Sequence, residues 1–383
     1  MTFSHLALLL LTGLIAATLP LSMVWMSSDA NKYRKLVWIT AFLTFDLIVF
    51  GGFTRLTDSG LGCPDWPGCY GMANPFLAHE QVSAAQAAMP TGPVTVAKAW
   101  IEMVHRYLAM GIGVLLVSLM VQAWRNWKKS QAPACAPGLP AMLFVFVLIQ
   151  GAFGAWTVTL KLQPVIVTIH LLLGMGLLSM VTWLGCRQDL YQAGVRIVKQ
   201  QAPRWPYLLA AATLALQIAL GGWVSTNYAT LACSDFPTCN GTYLPAMDFE
   251  HGFTLWRELG KTAAGHYIPM SALTAIHWVH RNVAVVLVLV LGYAAWRART
   301  NARLRPLART IVIVLALQAA TGIATVYFSF PLMLAVLHNA GAAMLVLLVT
   351  MLNYRSLYQI EAASPVPAQT IASAQPSPAS PHP

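Results

Sequence analysis

A chain of 383 residues that is 57% hydrophobic and only 9% charged, with mean hydropathy +0.62, does not have the make-up of a soluble globular protein, since such domains carry about 25% charged residues. Its net charge of +11 arises from 23 basic and 12 acidic side chains, and these fall in short segments between apolar runs, a pattern of membrane topology and not of a nucleic-acid-binding face. P-loop, Rossmann and zinc-finger spacings are all missing, so a nucleic-acid partner has no support.

The first apolar run, about Leu6 to Met26, reaches the ~20 residues that a bilayer crossing needs. No Lys or Arg precedes it, and Lys32, Arg34 and Lys35 follow. It therefore reads as a retained span with its N-terminus outside, not as a cleaved signal. Eight more spans are expected at about 36–53, 98–123, 139–158, 165–185, 206–224, 271–296, 308–327 and 332–354. Residues 359–383, rich in Ala, Pro and Ser, read as a disordered tail.

Basic residues divide unequally between the two sides. Sixteen lie in alternate connections, from Lys32 through the Arg125–Lys129, Arg187–Arg204 and Arg297–Arg309 segments to Arg355. Five lie opposite: Arg55, Lys98, Lys161, Arg257 and Lys261. The richer side is expected to be cytoplasmic, which puts the N-terminus in the periplasm and the C-terminus inside. The same topology sorts the cysteines. Cys63, Cys69, Cys233 and Cys239 fall outside and are expected to form the disulfides Cys63–Cys69 and Cys233–Cys239, while Cys135 and Cys186 face the reducing side.

Residues 36–185 and 206–354 repeat one four-span unit. Gly51-Gly52 followed by Cys63…Cys69 matches Gly221-Gly222 followed by Cys233…Cys239 at an offset of 170; His105-Arg106 matches His280-Arg281 at 175; Gln150…His170 matches Gln318…His338 at 168. Four spans per unit preserve orientation, so the repeats are parallel. The expected fold is an all-α polytopic membrane protein of nine spans. Residues 1–35 hold an extra N-terminal helix and cytoplasmic loop, 36–190 the N-terminal four-helix bundle, 191–205 a linker, 206–358 the C-terminal bundle and 359–383 the tail.

Ionisable groups inside spans are costly and mark function by default. His105, His170, His280 and His338 sit at one depth, roughly 10–13 Å from the outer helix ends at 1.5 Å per residue. Each unit thus offers two imidazoles from two helices at the same level, a pattern that suits two bis-histidine haem sites better than zinc, which wants three or four ligands. Arg106 and Arg281 would bind haem propionates or snorkel to the interface. At offset 175 Glu102 stands where the second unit has His277, and at offset 170 Arg55 stands against Ser225. Glu102 is three residues from His105 and shares its helix face.

Glu102-Met103-Val104-His105-Arg106, His170, His280-Arg281, His338 and the loop Leu61–Cys69 together resemble the haem A synthase family over about residues 36–354. The resemblance implies an enzyme of the cytoplasmic membrane of bacteria that oxidises the C8 methyl of haem O to a formyl group in two steps. It implies haem b as cofactor between His280 and His338, and haem O as substrate between His105 and His170, near the periplasmic side. Glu102 is the catalytic candidate, and Arg106, Arg281, His277 and Arg55 are propionate-binding or supporting residues. Haem O would come from a farnesylating haem O synthase; the electron donor is a separate membrane or soluble protein, and a homo-oligomer is allowed. The extra first span, the long outer loop at about 54–97 and the second histidine His277 depart from the simplest family pattern. Two other readings stay open: a di-haem b electron-transfer cytochrome, and a quinone-linked thiol oxidase using the outer cysteine pairs.

Overall fold

The computed structural model describes residues 2–192, 197–199 and 203–360. Its helices in chain order are α1 (Phe3–Trp25), α2 (Lys32–Leu56), the short α3 (His79–Ala88), α4 (Val96–Ser130), α5 (Gly138–Thr159), α6 (Pro164–Gln192), α7 (Trp205–Thr226), the single-turn α8 (Phe249–Phe253), α9 (Met270–Ala298), α10 (Arg305–Tyr327) and α11 (Leu332–Arg355). Nine of these, all but α3 and α8, are long and apolar enough to cross a membrane among the described residues. Local chemistry sets their ends. Asn31 accepts the Arg34 N–H at 2.9 Å and Thr95 accepts the Lys98 N–H at 3.2 Å, capping α2 and α4. Proline opens α6, α7 and α10, where its missing N–H would have had no partner.

Helices α2, α4, α5 and α6 pack in a ring in that order, and α7, α9, α10 and α11 form the equivalent ring. The histidine-bearing pairs, α4 with α6 and α9 with α11, take opposite corners. The backbone repeats as the sequence does. Lys161 and Leu162 between α5 and α6 have φ of 51° and 58°, and Ser329 and Phe330 between α10 and α11 have 54° and 65°. The same tight left-handed turn thus joins both pairs.

Helices α2 and α6 meet α7 and α11 along the joint between the bundles. One apolar core runs through the C-terminal bundle and takes in Met175 and Leu178 of α6. The double glycines have separate tasks here. A Cβ on Gly52 would stand 3.3 Å from Asn339 of α11, and one on Gly222 would stand 2.9 Å from Leu171 of α6. Gly52 and Gly222 therefore let the bundles approach each other, as small residues do between helices in lipid. At the disulfide end, residues equivalent by the repeat meet each other. Arg55 donates to the Ser225 carbonyl at 2.6 Å, and the Tyr228 hydroxyl donates to Asp58 at 2.7 Å. Both pairs are 170 apart in sequence, so the pseudo-twofold axis passes between them.

Helix α1 lies outside both rings against α4. A Cβ on Gly13 would come within 2.9 Å of Met110, and one on Gly111 within 3.1 Å of Ala16. The offset of 175 puts Val285 and Val286 of α9 at the positions of Met110 and Gly111, and no added helix covers them: they are 60% and 49% exposed.

One expectation is corrected. Helix α6 continues to Gln192, and the linker carries β1 (Ile197–Lys199), paired antiparallel with β2 (Tyr358–Ile360). Three-residue strands are too short to show a period-2 pattern, so neither the linker nor the start of the tail revealed them. The remainder of the expected tail, residues 361–383, and linker residues 193–196 and 200–202 lie outside the described residues.

Candidate functional site

The four histidines occupy corresponding places. From Val96 to His105 is nine residues and from Met270 to His280 ten; from Pro164 to His170 and from Leu332 to His338 is six in each case. Each ring rests against a glycine of a neighbouring helix. An added Cβ would stand 2.9 Å from His105 Cε1 at Gly51, 3.2 Å from His170 Cε1 at Gly154, 3.1 Å from His280 Cε1 at Gly221 and 2.9 Å from His338 Cε1 at Gly322. This is the second task of the double glycines: Gly51 and Gly221 face the imidazoles. His105 and His170 stand on opposite helices of the first ring, and His280 and His338 on opposite helices of the second. All four are half-buried, whereas His277 is 5% exposed.

A valine in place of Gly221 would force the His280 ring aside, because its methyls extend beyond a Cβ that is already in contact. Gly221→Val is expected to cost about 1–3 kcal/mol and to weaken whatever His280 holds, read as ligand content of the purified protein. Gly292 on α9 has no neighbour within 4 Å of such a Cβ, so Gly292→Ala should be silent. Equal effects from the two would show that the close fit at His280 is irrelevant.

Polar neighbours differ between the halves. In the C-terminal bundle the Gln217 amide nitrogen is 3.0 Å from His280 Nδ1, and the Thr321 hydroxyl is 3.1 Å from His338 Nδ1. The Gln318 amide also reaches His338 Nε2 at 3.3 Å. In the N-terminal bundle Gln150 donates to the His170 carbonyl at 3.1 Å, while Nδ1 of His105 and Nδ1 of His170 are buried without a partner.

Next to each first histidine stands a clamp for the disulfide loop. Cys63–Cys69 and Cys233–Cys239 are both formed. Arg106 donates to the carbonyls of Asp65 (2.9 Å), Pro67 (3.3 Å) and Gly68 (2.6 Å) and pairs with Glu102 one turn earlier. Glu102 also accepts the Cys63 N–H at 2.8 Å. In the second half Arg281 donates to the carbonyls of Asp235 (2.6 Å), Thr238 (3.0 Å) and Cys233 (3.1 Å). His277 takes the place of Glu102, with Nδ1 3.3 Å from the Cys233 N–H and Nε2 3.1 Å from Arg281. Both loops also fold around an aspartate. Asp65 accepts the Tyr70 and Gly71 N–H groups at 2.6 Å each, and Asp235 accepts those of Asn240 and Gly241. The Thr238 hydroxyl, with those two N–H groups, holds the Asp235 carboxyl below its usual range.

The structure thus sorts the expected residues. His105 with His170, and His280 with His338, take matching places on opposite helices of the two rings. Both arginines bond the loop backbones. His277 is a clamp residue with both ring nitrogens engaged. Arg55 lies at the joint between the bundles, bonded to Asp58 at 3.0 Å and stacked 4.3 Å over the Tyr228 ring. The glycines against the rings, Gln217 and Thr321 went unread as site residues. Gln150 and Gln318 signalled only the repeat, although their fixed spacing to His170 and His338 could have marked them as neighbours.

Two imidazoles from opposite corners of a bundle, orphaned Nδ1 atoms in one half and glycines against every ring fit a planar, axially held macrocycle. No cluster of three or more His, Cys, Asp or Glu side chains suited to a metal ion exists among the described residues, so the donor set does not fit a multi-ligand metal ion such as zinc. Fold and sequence pattern define a multi-pass membrane protein with two pairs of intramembrane histidines, one pair in each bundle.

Comparison with known proteins takes this further. Residues 34–350 match the model of the COX15-CtaA family, cytochrome oxidase assembly protein. The chain is similar to the haem A synthase of Shewanella oneidensis, 37% identical with 84% of this chain and 96% of that one covered. It is similar also to those of Caulobacter vibrioides, at 28% with 83% and 94% covered, and Methylobacterium sp. strain 4-46, at 30% with 82% and 89% covered. The chain belongs to this haem A synthase family of cytochrome oxidase assembly proteins. Family membership makes it an oxidoreductase-type enzyme of haem A biosynthesis that handles haem.

Proposed function

We propose that this chain oxidises the C8 methyl of haem O to the formyl group of haem A, in two successive oxidations by way of an alcohol and a gem-diol that loses water. The substrate haem lies between His105 and His170. What supports this assignment is the unequal repeat: both halves keep the histidine pair, but only the first has a buried carboxylate, Glu102, one turn from its histidine. A haem b held by His280 and His338 would supply a one-electron redox centre close by.

The chain's own residues bind, orient and shield. His105 and His170 would hold the substrate haem. Arg106 holds the Cys63–Cys69 loop over the outer end of the same bundle and keeps water from it. Glu102 is the group we assign to proton handling in this half; placed between Arg106 and the Cys63 N–H, it links the loop to the histidine helix. The basic-residue asymmetry orients the protein in a bacterial cytoplasmic membrane, with the disulfide loops and the N-terminus in the periplasm and the C-terminus inside. Haem O arrives from a farnesylating haem O synthase. Each oxidation adds one oxygen atom to the methyl carbon: with water as its source two electrons and two protons leave to an acceptor outside this chain, and with dioxygen as its source two electrons from a donor outside this chain and two protons reduce the second oxygen atom to water.

The test is mass analysis of the haems extracted after expression in cells that also make haem O. Haem A and its alcohol precursor are expected beside haem b. If haem A never forms, and Glu102→Gln and His105→Ala change nothing, the enzyme reading is wrong. Two permanently bound b haems would instead mark an electron-transfer cytochrome. Loss of function in Cys63→Ser with His170→Ala spared would mark a thiol oxidase.

A further inference from the structure

The repeat is nearly symmetric in its histidines and their glycines, yet not in what touches Nδ1. Both C-terminal rings have a polar side chain there: Gln217 on His280 at 3.0 Å and Thr321 on His338 at 3.1 Å. Both N-terminal rings have none, and their Nδ1 atoms are buried and unpartnered. The cause is visible in the sequence once the offsets are applied. Gln217 corresponds to Leu47 at offset 170, and Thr321 corresponds to Phe153 at offset 168. Two polar residues beside the rings of one half thus correspond, by the repeat, to two apolar ones in the other.

The chemistry of an axial imidazole gives this difference a consequence. A histidine that ligates through Nε2 carries its proton on Nδ1, and a partner that accepts that proton fixes the ring and raises the basicity of the ligating nitrogen. The Thr321 hydroxyl can accept it directly. The Gln217 amide carries both a donor and an acceptor, and its oxygen is buried without a partner, so the same side chain can take up an Nδ1–H. As the side chain stands, its amide nitrogen lies 3.0 Å from Nδ1 and 3.4 Å from Nε2 and donates to the His280 carbonyl at 3.1 Å; turning the oxygen to an Nδ1–H exchanges that carbonyl bond for one to the ring. His105 and His170 have no such restraint and keep a buried N–H unsatisfied when they ligate, which costs free energy.

We infer that Gln217 and Thr321 are positioning residues that make the C-terminal bundle the retaining haem site, and that Leu47 and Phe153 make the N-terminal bundle the site from which a haem can leave. The inference rests on the assignment of cofactor and substrate halves made above and names the side chains that encode it. A substrate site has to release its product, whereas a cofactor site has to keep its occupant. Outer partners of a ligating histidine are worth about 10–100-fold in affinity, enough to separate the two behaviours with identical axial ligands.

The test measures haem loss from each half separately. His105→Ala leaves only the C-terminal pair, and His280→Ala leaves only the N-terminal pair. Each purified protein is loaded with ferric haem b, and transfer of that haem to excess apomyoglobin is followed optically. The C-terminal haem is expected to leave more slowly than the N-terminal one. In the His105→Ala background, Gln217→Met with Thr321→Val should speed its loss about 10–100-fold, and the low-spin electron paramagnetic resonance signal should shift as ring orientation relaxes. Thr321→Ser, which keeps the hydroxyl, should stay close to the parent. In the His280→Ala background, Leu47→Gln should slow the loss. If the C-terminal haem leaves no more slowly than the N-terminal one, the assignment of halves fails, and the inference with it. If it does leave more slowly but Gln217→Met/Thr321→Val changes neither rate nor signal, the assignment stands and the role given to these two residues is wrong. The isosteric Thr321→Val alone draws the same distinction should the double variant not fold.

Discussion

Alanine at His280 or His338 is expected to remove the haem from the C-terminal bundle and abolish haem A formation, while the N-terminal pair stays intact. Each bundle supplies one imidazole from each of two opposite corners. On the proposed assignment, loss of either would leave a haem there with one histidine instead of two. The low-spin bis-histidine absorption should fall by roughly half in protein that carries both haems. His105→Ala and His170→Ala should also abolish turnover but leave the C-terminal haem and its spectrum in place. The informative control is His277→Ala. His277 is buried with both nitrogens bonded to the clamp, so its loss should loosen the Cys233–Cys239 loop without changing the iron spectrum. A spectrum lost in His277→Ala and kept in His280→Ala would overturn the ligand assignment.

The second large effect concerns the clamp on the first loop. Glu102 and Arg106 have side chains only 5% and 10% exposed. Breaking a buried pair by removing one partner costs about 3–5 kcal/mol, because the other charge is left uncompensated. Arg106→Ala would also strand three loop carbonyls and Glu102. It should therefore destabilise the protein by an amount in that range and free the Cys63–Cys69 loop to proteolysis. Glu102→His is the sharper variant, because the C-terminal half already runs the same clamp with a histidine at this place. The loop should stay attached and haem O should still bind. Turnover should fall by about 10²–10⁴-fold, the usual contribution of a proton-transferring group. A Glu102→His protein with normal turnover would leave Glu102 the structural task alone.

The use of Arg106 and Arg281 as clamps on the disulfide loops shows why motif reading stopped short. A guanidinium after a ligand histidine at the outer end of a span suits a propionate, a lipid headgroup or a carbonyl cluster equally well, since all three present oxygens. The choice here depends on where a loop some forty residues earlier in sequence folds back. Similarly, His277 and Glu102 differ in charge and chemistry, so their shared place was legible from the offset but their shared hydrogen bond to a cysteine N–H was not.

The sequence by itself determined the spans, the repeat, the two disulfides and the four histidines at one depth. These follow from hydrophobic length, the fixed rise of a helix and the cost of a polar group in lipid, all of which act along one segment at a time. The nine long helices cover the expected spans for that reason, with α4 and α6 each running seven residues further at the C-terminal end. Only the tertiary structure decided which helix faces which. It separated Gly51, against His105, from Gly52, against the other bundle, although the two are adjacent in sequence. It brought Gln217 and Thr321 to Nδ1 of their histidines and left Nδ1 of His105 and of His170 buried without a partner. Such pairings depend on the rotation of one helix about its axis relative to another. Rotation is set by the packing of whole surfaces, and no local pattern in a run of apolar residues reports it.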